Sequence, residues 1–131
     1  MANRFTSALG AVFKALRATL SRKGVNVGGT ADYPRVEIHS IIESEYKDKG
    51  EYYKVITCVV ECVSDKRMQD VMDMNQENLS LMLAKALNLG DSWRVFGIVA
   101  GQLQELNEIS DTNAVIYRLL QNVTIHVERL D

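Results

Sequence analysis

From Ala114 to Leu130 apolar side chains occupy every second position, at Val115, Tyr117, Leu119, Val123, Ile125 and Val127. Arg118, Asn122, Thr124, His126 and Glu128 stand between them. Period-two alternation of this kind predicts a strand of an antiparallel sheet with one wet face. Gln121 alone breaks the apolar row. At about 3.3 Å per residue such a strand reaches about 50 Å, whereas a compact domain of this length has a diameter under about 40 Å. Two outcomes are expected: a bulge at Gln121-Asn122 bends the strand, or one end leaves the core and pairs with something else.

The rest of the chain alternates between helical and extended periods. Phe5, Leu9, Val12, Phe13, Leu16 and Leu20 recur in steps of three and four, which predicts an amphipathic helix over Arg4–Arg22 ending near Lys23-Gly24. Val25–Asp32, with Gly28-Gly29, is expected as a flexible connector; without a preceding strand, a following helix or a Lys-Ser/Thr pair it is no P-loop. Tyr33-Pro34 favours extended geometry and opens a strand over Arg35–Ile42. Val36, Ile38 and Ile42 are expected on one face, with Glu37, His39 and Glu43 on the other. Polar residues from Glu43 to Glu51 form a hairpin tip, and Tyr52–Val63 returns with apolar residues on both faces, the signature of a central strand. Ser64-Asp65 offers an N-cap for a second helix over Lys66–Leu87, with a stripe of Met68, Val71, Met72, Asn75, Leu79, Leu83 and Ala86. A third strand is expected over Arg94–Ile109, with bulges or a close backbone approach at Gly97 and Gly101, then a turn at Ser110–Asn113. The fold class read from this order is α+β, helix-hairpin-helix-hairpin (αββαββ), a four-stranded antiparallel sheet with helices packed on it.

Length and composition make this one domain, residues 1–131: 47% hydrophobic and 24% charged residues are ordinary globular values. No apolar run is long enough to span a membrane, and no secretory h-region is evident, so synthesis in the cytoplasm is expected. The net charge of −2 is unevenly placed. Arg4, Lys14, Arg17, Arg22 and Lys23 stand in the first 31 residues without an acid, and the excess of acids lies beyond them. The first expectation for such a cationic helix is a solvated face; docking on an acidic partner, on nucleic acid or on its own acidic domain is the alternative. Cys58 and Cys62, on one expected strand, lie about 13 Å apart at strand spacing and cannot bridge each other.

Candidate chemistry is sparse. His39 and His126 have no cysteine or second histidine at ligand spacing, no serine stands in a nucleophile elbow, and no acid pair is singled out. The chain is therefore read as no enzyme, with no cofactor and no metal, and its pI near 5.7 argues against a dedicated nucleic-acid binder.

The basic helix, the glycine connector, Tyr33-Pro34-Arg35-Val36-Glu37-Ile38 leading a hairpin, the helix after Ser64-Asp65, and Asp111–Arg118 feeding a long final strand together resemble tail terminator proteins of tailed bacteriophages and related minor tail proteins. The resemblance implies a virion protein of the tail and neck, made in the host cytoplasm. It implies a homo-oligomeric ring of six copies that ends the tail tube, binds the tail tube protein and neck or connector proteins, and lets DNA pass without specific binding or any membrane. A head-tail connector or other neck protein is the alternative in that class; a small α+β ligand-binding protein is the alternative outside it. Assembly surfaces are expected at Tyr46, Lys47, Tyr53, Val55, Val59, Arg118 and His126.

Overall fold

The computed structural model describes residues 7–29, 32–45, 53–84 and 87–130. Its elements run α1 (Ala8–Leu20), β1 (Asn26–Val27), β2 (Arg35–Glu45), β3 (Tyr53–Ser64), α2 (Met68–Ala84), β4 (Trp93–Ile109) and β5 (Val115–Arg129). The strands form one five-stranded mixed sheet in the order β1-β2-β3-β5-β4. The α+β class stands, but the four-stranded antiparallel sheet and the αββαββ order do not. The difference is β1, two residues of the glycine connector that pair parallel to Arg35 and Val36. Asn26 donates its N–H to the Pro34 carbonyl and Gly28 to that of Val36. No apolar pattern announces a strand held by two such bonds.

Helix α1 starts where its cap is. Ser7 is extended and its hydroxyl accepts the Gly10 N–H at 2.9 Å, satisfying one of the donors a helix start leaves open. Glu43 supplies a second acceptor, taking the Leu9 N–H at 3.0 Å, where a carboxylate suits the positive end of the helix dipole. The helix ends at Leu20, not near Lys23; Gly24, at φ 85°, belongs to the turn in which Val25 bonds back to Arg22. Val12, Leu16 and Leu20 are fully buried, as the stripe requires, and α1 packs on β2, α2 and β3. Residues 1–6, with Phe5, lie outside the described residues.

Both helices cover one face of the sheet. That face is built by Val36, Ile56, Cys58, Val60, Cys62, Leu119, Val123, Ile125 and Val127, all 2% exposed or less. β3 is central, as its two apolar faces predict. Strand β2, however, changes face midway. Ser40 sits at φ 54° and the register slips between His39 and Ile42, so Ile42 points to the uncovered face, 59% exposed, while Glu43 turns under α1.

Helix α2 is shorter than Lys66–Leu87 and turned from the expected stripe. Val71, Met74, Asn75, Asn78 and Met82 are buried, whereas Met72 and Leu83 are exposed. Two asparagines on the inner face cause the discrepancy. Asn75 donates to Gln121 Oε1 at 3.3 Å and Asn78 to Cys62 Sγ at 3.3 Å. Hydrophobic counting sees only one of them.

The long strands β4 and β5 pair along their whole length, Trp93 with Arg129 to Ile109 with Val115. The bulges fall on β4, at the two glycines that predict them, and the bulge expected at Gln121-Asn122 is met at that level by β4 instead of β5. One slip lies between Ala100 and Leu103, opposite Asn122, and a second lies between Val95 and Gly97. Gln121 explains itself here: its amide donates to the carbonyls of Gly101 at 3.0 Å and Asn122 at 2.9 Å. It satisfies carbonyls that the bulge frees from the ladder. The hairpin closes through Ser110–Asn113 as expected, with Asn113 at φ 63° and Ser110 N–H bonded to the Ala114 carbonyl at 2.8 Å.

Candidate assembly surfaces

The uncovered face of the sheet carries two clusters, one ionic and one aromatic. Register brings Glu37 of β2 directly opposite Glu61 of β3, a like-charge pair that is destabilising on its own. Two arginines and a histidine engage it. Arg118 on β5 reaches Glu61 at 2.6 Å, Glu37 at 3.3 Å and Glu108 of β4 at 2.8 Å. Arg35 lies 3.2 Å from Glu37, and His39 Nε2 lies 2.7 Å from Glu61. One guanidinium thus ties all four long strands. Burial works against its charge, but the bonds to Glu61 and Glu108 outweigh this and hold its pKa above the ordinary arginine value.

At the other end of this face Tyr53, Phe96 and His126 form the second cluster. Tyr53 and Phe96 ring centroids are 4.8 Å apart, and the Tyr53 hydroxyl lies 2.9 Å from His126 Nδ1. Val55 stands directly opposite His126, and Val59 opposite Asn122. Eight strand residues separate His126 from Arg118, about 26 Å. Between the clusters short side chains, Thr57, Val59, Asn122 and Thr124, leave an open hollow of about 360 Å³.

Five of the seven expected surface residues, Tyr53, Val55, Val59, Arg118 and His126, therefore share this one face. Tyr46 and Lys47 lie outside the described residues. Glu37, Glu61, Glu108 and Phe96 join them without having been singled out. Alternation alone assigned Glu37 and His39 to the polar face, but the cross-strand register that makes a network of them is not written in any one segment.

Chemically the face offers a network of paired charges and an aromatic cluster. Each carboxylate of the ionic cluster is engaged by a cation. Among the described residues no group of three His, Cys, Asp or Glu is placed to hold a metal ion. Cys58 and Cys62 are buried and free, and burial pushes their pKa values up to about 11 and about 12, which keeps them as unreactive thiols. No described helix is long and apolar enough to cross a membrane.

No protein-family model and no curated protein matches the sequence. Solved structures do match the fold. A chain in the virion of a native gene transfer agent particle superposes with a TM-score of 0.64 over 93% of this chain and 95% of that one, at 16% identity. The bacteriophage SPP1 gp17 protein superposes with a TM-score of 0.56 over 98% of this chain and 94% of that one, at 19% identity. The chain carries a fold found in virions. These likenesses agree with the resemblance to tail terminator and minor tail proteins of tailed bacteriophages.

Proposed function

We propose that this protein is a structural subunit of a phage-type tail, assembling as a ring of six that ends the tail tube and joins it to the neck. The observation that carries the reading is the fold shared along nearly the whole chain with a chain of a gene transfer agent virion and with a bacteriophage protein, joined to a sheet whose second face and outer strand are left uncovered among the described residues. A tube grows because each ring exposes the surface that the next ring needs. A terminator matches that surface on one side and offers another on its far side, and head-to-tail contacts around an axis close such a ring. Its partners are then further copies of itself, the tail tube protein and neck or connector proteins, with DNA passing through. Expected assembly positions are Tyr53, Val55, Val59, Arg118 and His126, together with Tyr46 and Lys47.

Deleting the gene from the parent particle and imaging the products tests this. Tails of unregulated length, or tails unjoined to filled heads, are expected. Joined tails of normal length would exclude the role.

A further inference from the structure

Two surfaces of the subunit stand apart from each other in the fold. The first is the distal part of the β4–β5 hairpin. α2 packs on β3 and β5 and touches β4 only lightly, and β4 is the edge of the sheet, exposed at every residue from Val99 to Ile109. The register puts Leu103 opposite buried Gln121, Glu105 opposite buried Leu119, and Ile109 opposite Val115, so all of these lie on the helix side of the sheet, at its outer edge. Leu103 is 50% exposed, Ile109 72% and Val115 39%. Residues 101–114 contain Glu105, Glu108 and Asp111 and no basic residue.

The second surface is a groove of about 400 Å³ between α1 and the segment leading into β4. Its helical wall is made of small residues, Gly10, Ala11, Ala15 and Ala18, and its other wall includes Leu89 and Trp93. Lys14 lines it; Arg17, one turn on, is exposed at the rim, where it lies over the Phe13 ring and lines the neighbouring hollow, and among the described residues no ion pair reaches either. The stretch from Ser7 to Gly29 contains no acid. Asp91 is the sole acid among the described residues of the groove.

We propose that the distal β4–β5 hairpin of one copy seats in the α1 groove of the next. Leu103 and Ile109 cover the small-residue wall, and Glu105 and Asp111 stand against Lys14 and Arg17. The two halves cannot meet within one chain: Trp93 lines the groove, and sixteen extended residues, about 50 Å, separate it from Ile109 on the same strand. Each copy offers one hairpin and one groove, so the contact is heterologous and propagates until it closes. The proposal rests on the ring reading above and names the contact that makes the ring.

The test is a charge swap read by sedimentation. Lys14→Glu with Arg17→Glu, and separately Glu105→Lys with Asp111→Lys, should each reduce the assembled fraction at least tenfold at fixed concentration while the circular dichroism spectrum stays native. The variant carrying all four changes should recover assembly. Assembly unaffected by either pair, or not recovered by the fourfold variant, overturns the hairpin-groove contact while leaving the ring reading intact. A wild-type protein that is monomeric at every concentration overturns the ring reading itself. As a second measurement, oxidising an Ala18→Cys, Ile109→Cys variant should give a ladder of linked chains, since native Cys58 and Cys62 are buried. An oligomer of wild-type size that gives no ladder would contradict the contact.

Discussion

Replacing Arg118 by alanine removes the one cation that ties the four long strands together. Glu61, whose side chain is 8% exposed, would lose its bond to Arg118, keep its hydrogen bond to His39, and face Glu37 directly across the β2–β3 ladder. Removing one partner of a buried ion pair costs about 3–5 kcal/mol. Arg118 retains 20% of its side-chain surface in water, and solvent takes back part of that penalty, leaving about 2–4 kcal/mol. Glu108, by contrast, is 51% exposed, and its replacement by alanine should cost under about 1 kcal/mol. Arg118→Lys should fall between the two, because a single ammonium cannot span three carboxylates. Urea unfolding, at a protein concentration low enough to keep the subunit unassembled, measures all three. A loss of less than about 0.5 kcal/mol for Arg118→Ala, or a loss as large for Glu108→Ala, would refute the reasoning, since the measured order must follow burial.

Leu16→Ala, at a fully buried site, should cost about 2–5 kcal/mol; Phe13→Ala, half-buried on the same helix, should cost clearly less, and equal shifts in melting temperature would contradict the packing described. Gln121→Leu should cost about 1–3 kcal/mol by stripping the Gly101 and Asn122 carbonyls and the Asn75 amide of their partner, with faster amide exchange around residues 100–103; unchanged stability and exchange would mean that the glutamine does not hold the bulge. The buried thiols make an alkaline prediction. Their folded pKa values of about 11 and about 12 lie above the ordinary 9.0, so the unfolded chain loses these protons first. The stabilisation is complete below pH 9 and is lost as pH rises from 9 through 11 and 12, by about 1.4 kcal/mol per pH unit per thiol. A Cys58→Ala, Cys62→Ala variant should lack that slope, and an identical slope in both proteins would refute the cause.

Elements with a strong period were legible from the chain: the stripe of α1, the central position of β3, and the long final strand with its trouble at Gln121. What escaped was set by tertiary structure. Gln121 marked the level of one bulge and Gly97 and Gly101 marked its strand, but that the Gln121 amide bonds the Gly101 carbonyl depends on a cross-strand register that no single segment states. Ser40 carried no glycine to flag the slip that turned Ile42 outward. Asn78 on the inner face of α2 misled a reading that counts apolar residues, since its burial depends on Cys62 arriving from another element. For the candidate site, the polar face was legible but its network was not. Glu37, Glu61, Glu108 and Arg118 come from four segments, and only strand order and register set them within reach of one another.

The claim that this chain is a ring subunit is tested most directly by the mass of the purified protein across a range of concentrations, with electron micrographs of the same sample. The account predicts a closed species about six times the 14.7 kDa of one chain, seen end-on as a ring with a central opening. A strict monomer at every concentration, or an oligomer without an axial opening, would contradict it.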